Sequence, residues 1–348
     1  MATAKPKTKK EVEPKDLLAG ILEDLGSEDG AQLLGGDGMA IKIKGVISTQ
    51  IPGIDDAIGR GGIPLGRLTI IHGAEGSGKT TLALHLVAEC QRRNGVVIYI
   101  DKEYKLDPDY AKAIGCDTAN LLIVQPPHLE KTFATIEKVI ERGKIWRKST
   151  GVRVPILIVL DSMNAAIAKR EFEGEWEDQH ISPQARVYSS ALPKIMPKVF
   201  GEDVALVFIS QVRQKIGVMF GDGATTSGGK APKFYASLMI KVDRIGTEKI
   251  GEKKTGSKVK IEVVKNQIAP PFEKVTEQID WGFGFNRERS LIETSVKHGI
   301  MEKSGNTYTH KGDKVGINLK AAAKALAEDP EWMDEIYQNL REKRGWNE

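Results

Sequence analysis

The sequence has few cysteines, no long apolar run and no strong excess of one charge sign, and each shortage excludes a class of protein. Two cysteines in 348 residues, Cys90 and Cys116, are too few for a disulfide framework and do not form a zinc-binding CxxC pair. We expect core or surface thiols in a reducing compartment. No apolar run reaches the roughly 20 residues of a transmembrane helix. The lysine- and proline-rich first fifteen residues lack a signal peptide's apolar stretch, so we expect a disordered basic tail on a cytoplasmic protein without a membrane partner.

The charge balance leaves the partner open. The net charge of +4 permits an anionic partner such as nucleic acid but does not demand one. A hydrophobic content of 40% with 28% charged residues is ordinary for a globular protein, and the length suits one large domain with smaller appendages. Local motifs therefore decide the function.

The middle of the chain alternates short apolar runs with helical patterns. Runs such as "RLTIIHG", "GVVIYID", "VPILIVLDS" and "VALVFISQ" are separated by helices expected at 79–93, 108–114, 129–147 and 183–199. Near-continuous Val, Ile and Leu strands between helices predict an α/β fold, with a mostly parallel sheet covered on both faces. The later runs "SLMIKVDRI", "KVKIEVVKN" and "EQIDWGFGF" have no helices between them and predict an antiparallel extension of that sheet.

Smaller parts flank this core. Residues 16–26 predict a short amphipathic helix with Asp16 as its N-cap and Gly26 as its stop, and its apolar face can pack on its own core or on a neighbouring copy. We assign residues 1–45 to the tail, this helix and a linker, and residues 46–286 to the core. Helices near 288–300, 318–328 and 330–343 predict a small α+β domain over 287–348.

A phosphate-binding loop is the strongest motif. The segment "GAEGSGKT" matches GxxxxGK[ST] between a predicted strand and a predicted helix. Its backbone N–H groups can wrap phosphates, Lys79 can reach the β- and γ-phosphates of ATP, and the Thr80 hydroxyl can ligate Mg²⁺. The predicted nucleotide contacts here are Gly73, Glu75, Gly76, Ser77, Gly78, Lys79, Thr80 and Thr81.

Polar residues follow three other predicted strands. Asp161 ends "ILIVLD", where a carboxylate can support Mg²⁺ from across the phosphate-binding loop. Glu103 follows "VVIYID" and can orient and deprotonate the attacking water, with Asp101 as its rival. Gln211 ends "VALVFISQ", where it can hydrogen-bond the γ-phosphate or can simply be a polar strand end.

An unusual glycine-rich stretch comes after Gln211. The segment "GVMFGDGATTSGG" puts five glycines beside the apolar run Val218, Met219 and Phe220. Glycines leave such a segment unable to pack apolar side chains against itself. It is either a hairpin with a chance apolar tip or a loop whose apolar side chains meet a ligand.

Together these blocks resemble the RecA-type homologous recombinases of bacteria and their phages, from about Val46 nearly to the C-terminus. The carriers are "GAEGSGKTTL", "IDKEYKLDPDYA", "LIVLDS", "EFEGEWEDQH" and above all "SQVRQKIGVMFGDGATTSGGKAPKFYAS". The resemblance implies a RecA-like P-loop core and a helical filament on single-stranded DNA, joined through an N-terminal polymerisation helix. It also implies Mg²⁺ and ATP bound between subunits, pairing with homologous double-stranded DNA, and single-strand-binding and mediator proteins as candidate partners.

The resemblance also assigns roles to residues. Glu103 becomes the water-activating base, Lys79 and Lys265 contact the γ-phosphate from one subunit and its neighbour, and Gln211 relays the phosphate state to DNA. The adenine contacts are Asp107, Tyr110 and Trp281. The DNA contacts are Trp176, Ile181, Arg186, Ser189, Arg213, Lys215, Ile216, Met219, Phe220, Ser227, Gly228 and Gly229. The subunit interface includes Lys233, Phe234, Lys265 and Gln267.

Three positions depart from the family pattern. Gln267 stands where the family commonly has a second interface lysine, so one positive charge is missing and hydrolysis is expected to be slower or differently coupled to DNA. Pro193 replaces a phosphate-contacting arginine, and "LREKRGWNE" lacks an acidic run. These departures favour a phage-encoded or divergent member.

Three other functions stay open at this point. A small-molecule P-loop kinase would need an arginine-bearing lid, which the sequence does not suggest. A hexameric DNA helicase with the same core would unwind forked DNA directionally. A filament scaffold with a weakened ATPase is consistent with Gln267 but not with the retained Lys79, Thr80, Glu103 and Asp161.

Overall fold

A computed structural model describes residues 14–25, 43–175, 183–214, 224–226 and 228–346. The chain divides into two compact units, Met1–Lys42 and Ile43–Glu348. In the first unit, helix α1 (Pro14–Leu25) exposes Leu17, Leu18 and Ile21. The predicted N-cap at Asp16 is wrong because the helix begins two residues earlier, at a proline, whose missing N–H costs nothing in a first turn.

The second unit contains the other helices and all strands of the described residues. The helices are α2 (Pro52–Ile58), α3 (Lys79–Arg92), α4 (Pro108–Ile114), α5 (Leu129–Thr150), α6 (Lys169–Glu173), α7 (Pro183–Val199), α8 (Ala231–Tyr235), α9 (Arg287–Lys297), α10 (Leu319–Glu328) and α11 (Pro330–Arg344). The strands are β1 (Val46–Ile47), β2 (Ile63–Pro64), β3 (Arg67–Gly73), β4 (Val96–Asp101), β5 (Leu122–Val124), β6 (Ile156–Asp161), β7 (Val204–Gln214), β8 (Ala224–Thr226), β9 (Ala236–Ile250), β10 (Lys253–Asn266), β11 (Lys274–Asp280), β12 (Gly284–Phe285), β13 (Met301–Ser304), β14 (Thr307–His310) and β15 (Asp313–Gly316).

One large sheet organises this unit. Its strand order is β12-β11-β10-β9-β3-β7-β6-β4-β5, with β8 paired to β7. The strands from β9 to β5 run parallel, whereas β10, β11 and β12 continue the sheet in antiparallel pairs. The predicted α/β class and the antiparallel extension are therefore confirmed.

Helices cover both faces of the sheet, because alternate strand residues face opposite sides. Ile71 packs in a core with α2, α3 and α4, while Ile70 packs in a second core with α5 and α7. Cys90 and Cys116 are buried in the first core, and burial raises the pKa of each thiol to about 12. They are core thiols.

Strand pairing brings the polar strand ends to one edge of the sheet. Gly73 of β3 is level with Gln211 of β7, and Asp101 of β4 is level with Asp161 of β6. Because parallel strands end on the same side, the loops after them converge there. This edge is where the sequence predicts the nucleotide.

The last helices and strands form a small layer beside the sheet. Strands β13, β14 and β15 make an antiparallel sheet that shares a core with α9, α10 and α11. Asp56 of α2, itself buried, accepts hydrogen bonds from Lys297 Nζ at 2.7 Å and from His298 Nε2 at 2.9 Å. These contacts tie the layer to the core.

A buried carboxyl strengthens the same junction. Ser290 Oγ of α9 donates to Glu277 Oε1 of β11 at 2.8 Å, and the backbone N–H of Gly53 donates to Ser290 Oγ at 2.9 Å. Burial raises the pKa of Glu277 from 4.5 to about 8. Near neutral pH the folded protein therefore keeps a proton that the unfolded chain releases.

This retained proton predicts a pH dependence of stability. Between about pH 4.5 and 8 the free energy of unfolding should decrease as pH rises, because the unfolded chain releases this proton and the folded protein keeps it. For this one group the decrease is at most about 1.4 kcal/mol per pH unit. Glu277→Gln cannot ionise, so its free energy of unfolding should fall less steeply. Denaturant unfolding from pH 6 to 8 measures this, with the exposed Glu273→Gln as control. Parallel curves for wild type and Glu277→Gln would contradict it.

Candidate functional site

The phosphate-binding loop joins β3 to α3 with glycines at its tight points. A Cβ on Gly73 would collide with the carbonyl oxygen of Val242, and one on Gly78 would collide with Ile279. Gly76 and Gly78 also have positive φ angles of 66° and 101°, which favour glycine. The loop can therefore curl against the antiparallel extension and end at the N-terminus of α3.

Two buried polar side chains of this loop suit a phosphate. Lys79 Nζ donates to the carbonyl oxygen of Ala74 at 2.7 Å, and burial lowers the pKa of Lys79. Ser77 Oγ is buried without a hydrogen-bond partner among the described residues. Glu75 is exposed at the loop tip. Backbone N–H groups at a helix N-terminus, a lysine and a free hydroxyl are the donors that phosphate oxygens require.

Thr80 and Asp161 meet across the sheet edge. Thr80 Oγ1 donates to Asp161 Oδ2 at 2.8 Å, and Tyr99 OH donates to the same oxygen at 2.7 Å. Burial raises the pKa of Asp161, while these two hydrogen bonds act in the opposite direction. The predicted pair of Mg²⁺-supporting residues is therefore in direct contact.

The Glu103 carboxylate lies between the ends of two strands. Its Oε1 accepts from Ser162 Oγ, just after β6, at 2.5 Å and from Gln211 Nε2 of β7 at 2.9 Å. Lys105 Nζ lies 3.7 Å from the other oxygen and is largely exposed. The structure thus joins Glu103 and Gln211, which stand 108 positions apart in the chain.

Asp101 is engaged elsewhere. Its Oδ1 accepts from the backbone N–H groups of Glu103 at 3.0 Å and Tyr104 at 2.8 Å, so it holds the turn after β4. Its Oδ2 also accepts from the backbone N–H of Leu106 at 3.4 Å, and the residue is buried, so both carboxylate oxygens face their own turn. This geometry favours Glu103 over Asp101 as the base.

The backbone of Gln211 is clamped by Asn164. Asn164 Nδ2 donates to the Gln211 carbonyl oxygen at 3.1 Å, and the Gln211 N–H donates to Asn164 Oδ1 at 2.7 Å. The Asn164 amide thus makes the same pair of hydrogen bonds with Gln211 that the backbone of a neighbouring strand would make. The loop after β6 therefore fixes the place where β7 leaves the sheet.

A cavity of about 320 Å³ opens beside the phosphate-binding loop. Its walls include Tyr110 of α4, Trp281 after β11 and Gly282. Tyr110 OH shares a hydrogen bond of 2.9 Å with Thr81 Oγ1, and Trp281 Nε1 donates to Ser257 Oγ at 3.0 Å. Asp107 caps α4 by accepting from the N–H of Tyr110 at 3.2 Å. Two aromatic rings next to a phosphate site suit a nucleobase.

The predicted interface residues lie together around α8. Lys265 Nζ donates to the carbonyl oxygens of Lys233 at 2.9 Å and Phe234 at 3.1 Å. Phe234 is 76% exposed, and Lys233 and Gln267 are also exposed. Burial lowers the pKa of Lys265. An exposed phenyl ring beside a lysine that caps a helix end is typical of a surface awaiting a partner.

The two predicted DNA segments meet on α7. Arg186 and Ser189 lie exposed three positions apart on this helix. A Cβ on Gly228 would stand 2.7 Å from the Tyr188 ring, and one on Gly229 would stand 3.1 Å from Ala185. Gly228 and Gly229 therefore pack directly on the turn of α7 that presents Arg186 and Ser189. Pro193 lies inside the same helix.

Several predicted DNA contacts cannot be placed. Arg213 lies in β7, but its side chain is outside the described part of the structure. The predicted contacts that lie outside the described residues altogether are Trp176, Ile181, Lys215, Ile216, Met219, Phe220 and Ser227. Their roles stay predictions.

Sequence reasoning missed three residues of the site. Tyr99 looks like one of several apolar strand residues, and Ser162 and Asn164 look like ordinary loop residues after β6. The sequence offers one signal: Ser162 and Asn164 follow within three positions of Asp161, itself at a strand end. Their partners, however, lie on other strands.

Comparison with known proteins identifies the family. A family model described as the RecA N-terminal domain matches residues 17–286, and one described as the RecA C-terminal domain matches residues 289–345. The chain belongs to the RecA family. The protein named Protein RecA of Acidothermus cellulolyticus is 43% identical over 300 residues, covering 86% of this chain and 84% of the relative. Protein RecA of Aquifex aeolicus is 42% identical over 317 residues, covering 89% of each.

Membership fixes the general activity. This RecA-family chain is an ATP-binding, DNA-dependent ATPase and recombinase of DNA recombination and repair. The alternatives of a hexameric helicase and of a filament scaffold with a weakened ATPase are not favoured. In the part of the chain that the structure describes, no helix is long and apolar enough to cross a membrane. The cytoplasmic location stays a prediction.

The Ser162 contact generates a prediction for the RecA-family ATPase. Ser162→Ala removes one of the two hydrogen bonds to Glu103 Oε1 while leaving the phosphate-binding loop intact. We expect kcat for ATP hydrolysis to fall about tenfold with little change in KM, because the hydrogen bond is lost only at Glu103, the candidate base. Steady-state ATPase assays on single-stranded DNA measure both constants. Ser190→Ala, on the exposed side of α7, is the control. An unchanged kcat, or a rise in KM alone, would show that Ser162 does not position Glu103.

Proposed function

We propose that this RecA-family protein polymerises as a helical filament on single-stranded DNA, binds ATP and Mg²⁺ between neighbouring copies, and pairs the strand with homologous double-stranded DNA. The observation that carries the proposal is the hydrogen bond between Glu103 and Gln211 at the sheet edge. It joins the candidate base for ATP hydrolysis to the strand that leads into the glycine-rich segment. Such a contact can report the nucleotide state to a DNA-binding loop.

The phosphate end of ATP is assigned to the loop and the start of α3. Lys79 and the backbone N–H groups from Gly76 to Thr80 would hold the β- and γ-phosphates. The Lys79 ammonium now rests on the Ala74 carbonyl oxygen, which phosphate oxygens would replace as acceptors. The adenine of ATP would lie between Tyr110 and Trp281.

Mg²⁺ fits the oxygens of Thr80 and Asp161. These oxygens stand 2.8 Å apart at the carboxyl edge of the sheet. Among the described residues no group of three or more His, Cys, Asp or Glu side chains could hold a metal ion alone, so the phosphate oxygens would complete the coordination. When bound, Mg²⁺ neutralises charge on the β- and γ-phosphates.

Water activation is assigned to Glu103. Ser162 and Gln211 fix one carboxylate oxygen, which leaves the other to accept a proton from water. Lys105 lies near that second oxygen and is mobile enough, as an exposed side chain, to move away. Gln211 would exchange Glu103 for the γ-phosphate as its hydrogen-bond partner when ATP binds.

Lys265 is proposed to act on the ATP of a neighbouring copy. In the isolated chain its ammonium caps α8 at the carbonyl oxygens of Lys233 and Phe234. Assembly would move this charge to the neighbour's γ-phosphate. Gln267 can donate a hydrogen bond there but supplies no charge, so we expect slower hydrolysis than a two-lysine interface gives.

Polymerisation is assigned to α1 docking on a neighbouring copy. The apolar face of α1 carries Leu17, Leu18 and Ile21, all exposed. The second unit has an apolar groove of about 480 Å³, with Leu122, Trp146 and Val152 among its exposed lining residues. Its rim has Arg142, Lys144, Arg147 and Arg153 against Glu202 and Asp203, whereas α1 ends in "LEDL". The apolar lining and the excess of basic residues on the rim both suit α1 of another copy.

The DNA surface is assigned to α7 and the segment that returns to it. Strand β8 pairs with β7 immediately beyond Gln211, and Gly228 and Gly229 then pack on α7 beside Arg186 and Ser189. The arginine suits a phosphate, and glycine N–H groups can approach phosphates closely. Met219 and Phe220 are proposed to stack on bases, which needs no sequence preference.

One set of electron micrographs tests the proposal. Wild type and Glu103→Gln are imaged with single-stranded DNA and ATP, and we expect helical filaments from both. ATP and DNA affinities should be retained in Glu103→Gln, while hydrolysis falls at least about 100-fold because only the base is lost. Glu252→Gln, exposed at the β9–β10 turn, is the matched control.

A further variant isolates the polymerisation helix. Leu18→Lys puts a charge on the apolar face of α1 and should abolish filaments, although the phosphate-binding loop of the second unit is unaltered. Filaments from Leu18→Lys would contradict the α1 assignment. Absence of filaments from wild type with a non-hydrolysable ATP analogue would contradict the function itself, and normal hydrolysis by Glu103→Gln would contradict the assigned base.

A further inference from the structure

Helix α3 carries a buried histidine one and a half turns beyond Lys79. His85 is 1% exposed, and its Nε2 accepts a hydrogen bond from the backbone N–H of Phe285 at 3.0 Å. The imidazole also meets the Phe285 ring edge-on, with 5.6 Å between ring centroids. Phe285 ends β12, which directly follows the turn that begins at Trp281. His85 therefore joins the P-loop helix to the turn that carries one aromatic wall of the base cavity.

The backbone of that turn lies directly on the imidazole. A Cβ on Gly284 would stand 2.7 Å from His85 Nε2, and Gly284 has a positive φ angle of 92°. Both features call for glycine at this position. The contact between His85 and the turn is thus made by main-chain atoms, whose position a change of side-chain rotamer cannot alter.

The charge state of His85 is set by its surroundings. A ring nitrogen that accepts an N–H must be unprotonated, so the hydrogen is placed on Nδ1, which lies 3.4 Å from Gln50 Oε1. Burial, followed by the charge of Arg287, lowers the pKa of His85 to about 3. The imidazole is neutral at any pH near neutrality, so this acceptor is permanent.

The other wall of the cavity is tied to the same helix. Thr81, four positions before His85, shares a hydrogen bond of 2.9 Å with Tyr110 OH. Hydrogen bonds therefore connect Tyr110, and the segment that follows Trp281, to α3, whose N-terminus would bind the phosphates. A rigid element that fixes both ends of a site sets the distance between them.

We propose that His85 is a positioning residue that sets the nucleobase end of the ATP site by holding the Trp281–Phe285 turn against the P-loop helix. This inference rests on the proposed assignment of the base to the Tyr110 and Trp281 cavity. The affinity for ATP then has two separate contributions, one from the nucleobase and one from the phosphates. Loss of the His85 acceptor should weaken the hold on the base and leave the hold on the phosphates intact.

Binding of ATP and of inorganic tripolyphosphate, which has no base, tests this separation by calorimetry. His85→Leu leaves the Phe285 N–H buried without an acceptor, so we expect the Kd for ATP to rise about tenfold with the Kd for tripolyphosphate nearly unchanged. His85→Gln offers an amide oxygen in place of Nε2 and should restore most of the ATP affinity.

In hydrolysis assays His85→Leu should raise KM for ATP more than it lowers kcat. Leu86→Met, equally buried on α3, controls for changed packing.

A companion variant distinguishes the possible failures. Trp281→Ala should weaken ATP but not tripolyphosphate if the base lies in this cavity. If Trp281→Ala leaves ATP affinity unchanged, the assigned base site is wrong. If Trp281→Ala weakens ATP and His85→Leu does not, the base site stands and the role of His85 is overturned. Equal loss of ATP and tripolyphosphate affinity in His85→Leu would show that the residue merely stabilises α3, and would also overturn the inference.

Discussion

The shared carboxylate of Glu103 is the contact on which the rest of the site depends. One of its oxygens accepts hydrogen bonds from Ser162, just after β6, and from Gln211, within β7. Only a parallel sheet brings the ends of β4, β6 and β7 to the same edge, and only buried aliphatic strands hold them in fixed register there. The sheet thus brings the candidate base Glu103, the candidate metal carboxylate Asp161 and the candidate phosphate sensor Gln211 to one edge.

The same contact is the first step of the proposed route from nucleotide to DNA. Asn164 pairs both backbone groups of Gln211, and the strand continues only three residues before the segment that the structure does not describe. The returning strand β8 is bonded to the same stretch of β7. It leads to Gly228 and Gly229, which rest on α7. A small shift of Gln211 toward a phosphate would therefore act on main-chain pairs rather than on loose side chains.

The features of the fold and the site that the sequence predicts are those that depend on short local patterns. The phosphate-binding loop needs glycines, a lysine and a threonine in a row, and the parallel strands need unbroken aliphatic runs, so both are legible without a structure. The sequence also predicts Glu103, Asp161 and Gln211, as polar residues at the ends of such runs. The sequence does not predict the short helices α2, α6 and α8, whose five to seven residues carry little periodicity, whereas α4, also of seven residues, has Asp107 as its N-cap, a proline at its start and Gly115 at its end.

The residues that position the site were out of reach for a different reason. Ser162, Asn164 and His85 have partners between 35 and 200 positions away along the chain. Nothing in their local sequence marks them, since a polar residue after a strand or a histidine within a helix has many ordinary explanations. Their roles follow from strand register and helix packing, which are tertiary properties. The start of α1 at Pro14 instead reflects a competition within one turn, where proline at the first position overrides the capping preference of Asp16.

The central claim is that Gln211 couples the nucleotide to the DNA surface, and the affinity for single-stranded DNA tests it most directly. Fluorescence anisotropy of a labelled oligonucleotide gives Kd with ADP and with a non-hydrolysable ATP analogue, for wild type, Gln211→Ala and the exposed control Gln338→Ala. We predict tighter binding with the ATP analogue for wild type and control. For Gln211→Ala we predict the same Kd for DNA with either nucleotide, measured at nucleotide concentrations that saturate the ATP site. A Gln211→Ala protein that still bound DNA more tightly with the ATP analogue would contradict the account.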